Sequence, residues 1–514
     1  MTTLKQDSQK LTLGGREVHF NLRQFLQENF ARSWLRTAWL LALIYLTGLV
    51  VWGQFQAAPV MTALVVLVWL GTVGVTAVNE LTRHHSAATY WLKNNLYSSI
   101  SNALVSLLLL LLLIAGIRGF IGWAFLRASF TTDPEAAKAT LAQFTKPGAN
   151  WGAISANMRN LMVFRWPRSE DWRLWSIIIW NVVLFIPSQF VYRREVFRKS
   201  LIRRVLTALW LLTPIIAFLL LRGVSGSRGV RGAGGLIPQL SPDQAWGGLL
   251  LTLVVAVFAI VASFPLGVLL ALGRRSQIHG VPARFTYGTA VLLTLFFLAT
   301  STPANLSNAQ STAARVFAFW PLLIPLLAYL FQRVFKGNVV ALFSTLYIET
   351  VRGVPFITVL FMSIILFPIF LPPGMEVLGT WRVMAAATLF AAAYLAENVR
   401  GGLQSLNKGQ YEAADAIGLN TFQKYRFIIL PQALRVVIPA IVGQFIGLFK
   451  DTTLVAIVGL VEFLGAANLI AAQPNWLGVR REPYVFIALV YFIGNAIMAG
   501  YSRRLEAQLG VGQR

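Results

Sequence analysis

Cysteine is absent from the 514 residues. That excludes a disulfide framework, a thiolate metal site and a cysteine nucleophile. Histidine is scarce: His19, His84, His85 and His279 are the four, and none stands at a metal-ligand spacing such as H-E-x-x-H. His84–His85 reads as a polar loop pair. Charge is thin, 12% of residues, where soluble domains carry about 25%. Acidic residues are the scarcer kind: 19 Asp plus Glu against 44 Lys plus Arg leave a net charge of +25. A G-x-x-x-x-G-K-[ST] phosphate loop is missing, as are kinase and hydrolase signatures. A chain without its own energy-converting site is passive, driven by an ion gradient, or driven by a partner.

What the sequence has is apolar length. Hydrophobic residues make up 56% with mean hydropathy +0.64, which excludes disorder. A bilayer-spanning helix needs roughly 20 apolar residues. Trp34 to Trp52, Val60 to Val78, Ser98 to Phe125, Trp172 to Val191, Val205 to Leu221 and Trp246 to Leu272 qualify. Phe285 to Thr300, Val316 to Phe331, Val354 to Leu371, Trp381 to Ala396, Val436 to Leu460 and Tyr484 to Tyr501 follow. The pattern predicts an all-α polytopic membrane protein with about 12 transmembrane helices.

The excess cations sit in alternate loops and are not gathered on one face, which argues for a bilayer and against nucleic acid as partner. Arg193, Arg194, Arg198, Lys199, Arg203 and Arg204 follow the fourth span; Arg274, Arg275 and Arg284 follow the sixth; Arg400, Lys408, Lys424 and Arg426 follow the tenth. This predicts both termini in the cytoplasm. Exceptions remain: Arg222, Arg228, Arg231, Arg480 and Arg481 fall outside, and so do basic residues of the loop 127–171. No cleavable signal peptide is expected, because the first apolar run has full spanning length and no small-residue cleavage site. Gly223 to Gly235, rich in Gly and Arg, reads as a joint. It separates an N-terminal extension of about five helices, 1–235, from a core, 236–514.

The loop after the tenth span is the informative stretch. Tyr411-Glu412-Ala413-Ala414-Asp415-Ala416-Ile417-Gly418 favours a short helix that Gly418 ends, and Ile428-Ile429-Leu430-Pro431 places a proline break before the next span. Physics alone leaves open a plain solvated loop helix.

Glu-Ala-Ala, three residues, Gly, nine residues, Ile, one residue, Leu-Pro matches the spacing of the EAA loop of ABC-importer permease subunits from Glu412 to Pro431. In wider stretches the chain resembles the polar and general L-amino-acid branch of that family: Trp246 to Leu253, Ile348 to Pro355, Gly447 to Leu454, and Asn150 to Trp175. The resemblance implies a core of about five spans with the type I ABC importer fold, and a permease role with no catalysis or cofactor of its own. ATP would be bound by a separate ABC ATPase dimer. Further implied partners are a second permease subunit and an extracytoplasmic amino-acid-binding protein, all at the cytoplasmic (inner) membrane. Glu412, Ala413, Ala414 and Gly418 would dock on the ATPase, with Leu430 and Pro431 setting the return to the membrane. One departure stands out: a hairpin near 285–336 looks inserted. Two extra spans preserve the sidedness of everything after them.

Lys450 and Asp451 interrupt an apolar span. From Leu434 to Phe449 a helix rises roughly 24 Å, past the middle of a ~30 Å hydrocarbon core. Charges at that depth cost about 2.5–3.5 kcal/mol or more each, so they pair or line a cavity. Either the two form a packing ion pair, or with Thr452 and Thr453 they line a substrate path. A zwitterionic amino acid requires partners of both signs. Glu397 and Glu462 are lesser candidates for that path, and Glu349 and Arg352 read as structural. The alternative is an ion-gradient-driven secondary transporter, which calls for inverted repeats that the chain does not display. A passive channel would need a repeated filter or rings of one charge.

Overall fold

In hydrocarbon every backbone N–H and C=O must be satisfied within the protein, so the long apolar runs have helix as their available form. The computed structural model describes residues 9–13, 16–20, 33–82, 86–192, 194, 200–223, 238–276, 280–308 and 310–509. Among these, nine helices are long and apolar enough to cross a membrane, or ten if Trp320–Phe335 and Val339–Gly353, bent by 98°, count as one broken span. Each of the apolar segments read from the sequence is helical over most of its length. The His84–His85 pair, His279 and the joint 224–235 lie outside the described residues.

Contacts divide the chain into two units, 1–129 with 135–149, and 130–134 with 150–514. The first unit holds an antiparallel hairpin, β1 (Gln9–Leu13) and β2 (Arg16–Phe20), with Gln9 opposite Phe20. This small sheet is an addition to the all-helical expectation. Three long helices follow: α1 (Ser33–Ala57), α2 (Pro59–Thr82) and α3 (Ile100–Ile121). Polar groups tie α2 to its neighbours, with Trp69 Nε1 donating to Ser106 Oγ (3.4 Å) and Thr72 Oγ1 meeting Tyr97 Oη (2.8 Å). The remaining surface is largely exposed leucine, valine and tryptophan, as lipid-facing helices require.

The second unit is built on two 27-residue helices, α7 (Gly248–Arg274) and α12 (Gly379–Ser405). Small residues let them approach closely. Ala387, Ala391, Ala392, Ala393 and Ala396 face inward, and a Cβ on Gly267 would overlap the Leu395 side chain. The helix α12 carries Arg382, Glu397 and Arg400 and is not among the nine apolar spans, yet fifteen of its residues are buried. More than half of the helix packs against protein.

Upstream of α7 lie α4 (Met158–Val163), α5 (Asp171–Val191) and α6 (Leu201–Arg222). Downstream come α8 (Ala283–Ser307), α9 (Leu323–Phe335), α10 (Val339–Gly353) and α11 (Phe356–Phe361). After α12 follow α13 (Lys408–Ala416), α14 (Leu430–Asp451), α15 (Phe463–Ala471) and α16 (Arg481–Leu509). The helix α8 packs on the turn that leads into α9, through Phe297 against Trp320 (5.1 Å between centroids) and Thr302 Oγ1 donating to the Ala318 carbonyl (3.0 Å). The core is a continuous apolar cluster including Leu251, Val255, Met384 and Leu448 at one end, and a second including Ile348, Leu395, Ile429 and Ile441 at the other.

Candidate functional site

Three groups of polar residues stand out in the second unit. The first is the loop from Asn407 to Pro431. Asn407 caps α13, its side chain accepting from the Gly409 amide (2.9 Å). The nine-residue helix ends where Gly418 adopts φ +77, the left-handed conformation glycine takes at no steric cost. The Leu419 amide then donates back to the Ala414 carbonyl (3.2 Å). The loop is fastened to the bundle by Tyr411 Oη donating to the Leu403 carbonyl (3.0 Å), and its two arms are tied to each other by Lys424 Nζ on Asp415 Oδ1 (2.6 Å). Arg275, from the end of α7, lies over the Tyr411 ring at 5.9 Å.

Two expectations change in this loop. Ala414 is 2% exposed. At its place on the short helix it faces the bundle and seats the loop, while Glu412, Ala413 and Gly418 face outward. Pro431 does not break the chain. A π-helical stretch, Lys424–Ile429, runs into α14 with the proline in its first turn. The wider π turn immediately before it lies where a regular α turn would set the proline ring against the carbonyl four residues back. Leu430 is half-buried and Pro431 exposed. Two residues were missed: Ile417 and Phe422 are 71% and 68% exposed. Apolar side chains in an otherwise polar loop were the available signal.

The second group joins three helices. Glu397 of α12 accepts from Arg400 Nε (2.9 Å), contacts Arg400 again through its other oxygen, and faces Arg274 of α7 (3.5 Å) and Arg352 of α10 (3.4 Å). Arg274 also pairs with Glu349 (2.7 Å). Glu397 is thus the hub of a five-residue ion cluster at the loop end of the bundle, with three arginines as its partners. Glu349 and Arg352 take part in it.

The third group is farther along α14. Lys450 is exposed and forms no ion pair with Asp451 among the described residues. Asp451 lines an open pocket of about 300 Å³ with Gln444, Tyr394, Phe390, Phe356 and Leu448. Gln444 is held by both ends, accepting from Asn398 Nδ2 (2.8 Å) and donating to the Ala391 carbonyl (2.7 Å). Thr452 and Thr453 turn back on their own helix, donating to the carbonyls of Phe449 (2.7 Å) and Lys450 (2.8 Å). The pocket therefore gathers Asp451 but not Lys450, and Gln444 is a member the sequence did not single out. Glu462 is elsewhere. It is 0% exposed and caps α15, accepting from the Leu464 and Gly465 amides (2.9 Å each) and from Thr252 Oγ1 of α7 (3.3 Å). Among the described residues no cluster of three or more acidic or His side chains could hold a metal ion.

Comparison with known proteins adds the following. Residues 321–511 match the family "Binding-protein-dependent transport system inner membrane component". The chain is 32% identical over 428 residues to the inner membrane amino-acid ABC transporter permease protein YhdY of Escherichia coli, covering 83% of this chain and 95% of that one. It is 42% identical over 274 residues to the glutamate/glutamine/aspartate/asparagine transport system permease protein BztC of Rhodobacter capsulatus, covering 53% of this chain and 49% of the other. A probable glutamine ABC transporter permease protein, GlnP of Bacillus subtilis, is 37% identical over 161 residues, covering 31% of this chain and 72% of its own.

Proposed function

The chain belongs to the amino-acid ABC transporter permeases, and from that premise we propose how its parts divide the work. It is the multi-pass inner-membrane permease of an ATP-driven importer of L-amino acids. The ion-gradient alternative has no support in the relatives, which are ABC permeases throughout. ATP is bound and hydrolysed by a separate ATPase dimer, and this chain carries no cofactor. Completing the importer are a second permease subunit and an extracytoplasmic amino-acid-binding protein. The core, 236–514, takes the type I importer arrangement, with 1–235 as an extension and the hairpin at 285–336 as an insertion.

The observation that carries this division is the loop from Asn407 to Pro431. It is a rigidly capped helix whose outward face shows Glu412, Ala413, Gly418, Ile417 and Phe422. Exposed apolar side chains rimmed by charge mark a protein-binding surface. The ATPase docks there. Motion of the loop reaches the bundle through α14, which continues helically from Thr421 to Val458 and carries Asp451 into the pocket. Asp451 would receive the substrate ammonium there, with the Gln444 amide as a neutral partner. Thr452 and Thr453 brace the end of α14, Glu397 holds α12 to α7 and α10, Lys450 lies outside the pocket, and Glu462 fixes α15 to α7.

The topology is tested with the chain's natural lack of cysteine. A single cysteine at Asn407 is expected to be labelled only from the cytoplasm, and one at Asn475 only from outside. Labelling of Asn407 from outside would overturn both the sidedness and the coupling role. For the pocket, Asp451→Asn removes one charge-assisted contact, worth about 1.5–3 kcal/mol. Uptake of at least some amino acids by the reconstituted complex should fall by ~10-fold or more, on the same scale, while assembly with the ATPase is unchanged. Intact uptake of acidic, neutral and basic amino acids alike would remove Asp451 from the path.

A further inference from the structure

The hairpin of α8 and α9 is clamped shut at its end beside α7. The Val281 amide donates to the Gly337 carbonyl (2.9 Å), and Gln332 Nε2 donates to the Val281 carbonyl (2.9 Å). Gln332 Nε2 also reaches Thr286 Oγ1, which joins the first turn of α8 to the last turn of α9. Just past α7, the Ser276 carbonyl accepts from Asn338 Nδ2 (3.0 Å). Gly337, at φ +74, passes so close to the Val281 carbonyl that a Cβ would overlap it. The clamp holds Lys336 at φ +50, a left-handed conformation that lysine seldom adopts. Three exposed cations, Arg284, Arg333 and Lys336, are carried on the clamped segments. From Gln244 to Ile348 the sequence holds no Asp or Glu at all, and Glu349, the next acidic residue, is taken by Arg274 (2.7 Å). Among the described residues none of the three cations has an acidic partner. Aromatic rings accompany the two arginines: Arg284 lies over Phe285 (5.0 Å), and Arg333 Nη1 donates to Tyr329 Oη (2.8 Å). A tyrosine near the end of a span sits at headgroup level.

The helix that follows lies across this end. The chain turns by 98° between α9 and α10. With the hairpin crossing the membrane, α10 therefore runs along the membrane surface. One of its faces, with Ala341, Ser344 and Ile348, is buried, and Gly273 at the end of α7 comes so close to Ser344 that a Cβ would overlap the side chain. Another, with Val339, Phe343 and Leu346 at i, i+4 and i+7, is exposed. An exposed apolar stripe in the membrane plane is how a helix seats itself at the boundary of headgroups and acyl chains. At its far end α10 carries Glu349 and Arg352 into the Glu397 cluster.

The geometry points to the clamped base of the hairpin and α10 as a site for an anionic phospholipid, with Arg284, Arg333 and Lys336 supplying the charge and Val339, Phe343 and Leu346 the acyl contact. Basic groups between spanning helices hold anionic headgroups in this way. A zwitterionic lipid would cover the apolar stripe and leave the cations without a counter-charge. An acidic protein face would meet the cations and leave the stripe bare. Because α10 joins the hairpin to the Glu397 cluster, a lipid held here steadies the bundle as well. The inference rests on α8 and α9 crossing the membrane and is independent of the importer reading.

The test uses the full chain in phosphatidylcholine nanodiscs with and without phosphatidylglycerol. Phosphatidylglycerol is expected to raise the melting temperature of the wild type, and to be enriched over phosphatidylcholine in the lipid that stays with the chain on transfer to detergent. A cation near an anionic surface counts about fivefold. The triple variant Arg284→Gln, Arg333→Gln, Lys336→Gln should therefore lower that enrichment ~10-fold or more and abolish the thermal gain, with its melting temperature in phosphatidylcholine unchanged. A control triple removes as many cytoplasmic cations elsewhere: Arg204→Gln, Arg503→Gln, Arg504→Gln. It should keep both effects. Equal losses in the two triples would mean general surface charge and overturn the site, as would a wild type without enrichment. A first triple that keeps its lipid but no longer retains the ATPase would assign the cations to an acidic face of that partner, and overturn it too. If the first triple fails to insert, Arg333→Gln and Lys336→Gln are read singly. Each should lower enrichment severalfold, and enrichment unmoved by both would overturn the inference.

Discussion

Gly418→Asp is expected to yield a normally inserted chain whose transport is lost. Gly418 sits at φ +77 with open space around it, so a side chain there meets nothing inside this chain. Asp is among the residues that tolerate the left-handed region, and the helix should still end in place. The effect therefore falls on the partner. A carboxylate in the docking cleft must be desolvated, at a cost of order several kcal/mol if it stays unpaired. Uptake by the reconstituted complex should drop by ~100-fold or more, since each 1.4 kcal/mol is tenfold. Either the ATPase no longer co-purifies, or it is retained and hydrolyses ATP without uptake. Ordinary retention together with ordinary uptake would sink the coupling role of the loop. Gly418→Val separates strain from charge. A β-branched residue at that φ is a true outlier, so it should also lower the melting temperature of the isolated chain, which Gly418→Asp should leave nearly unaltered.

Glu397→Ala should give the larger loss of stability. The carboxylate faces Arg274, Arg352 and Arg400 from α7, α10 and α12. Its removal leaves Glu349 as the remaining acidic group of the cluster. A fully buried pair broken on one side costs about 3–5 kcal/mol. These side chains are 21–33% exposed, so solvent screens part of that, and roughly 1–2 kcal/mol is the expected loss. Thermal unfolding of the detergent-solubilised chain would read it as a lower melting temperature, with Glu397→Gln intermediate and Glu376→Ala, at an exposed position, near wild type. Equal melting temperatures for all of these would mean that the cluster contributes no net stability.

Much of the fold was legible because it is written in composition and length. An apolar run of spanning length has one way to satisfy its backbone in a bilayer, so helices at Trp34 to Trp52 or Trp246 to Leu272 needed no tertiary information. The helix end at Gly418 was legible for a local reason as well: a glycine after an alanine-rich turn has the conformation the cap requires. The behaviour of Pro431 was not legible. Whether a proline breaks a chain or opens a helix depends on the turn before it, and the π-helical stretch Lys424–Ile429 has no sequence mark as clear as the proline itself.

Side-chain partnerships divide in the same way. Lys450 and Asp451 announce themselves as charges in an apolar span, but adjacent residues on a helix point in different directions, and only the packed bundle turned Asp451 toward Gln444 and Tyr394 while leaving Lys450 exposed. Glu462 and Thr252 are 210 positions apart, and no local rule could pair them. By itself the sequence determined a many-spanning helical membrane protein with a short loop helix ending at Gly418, because hydropathy, cation placement and helix-end chemistry are properties of neighbouring residues. The tertiary structure alone decided that Glu397 gathers three arginines, that Ala414 seats the loop, and that segment 150–168 closes over α7, because those outcomes depend on which distant helices small residues such as Gly267 and Ala392 allow to touch.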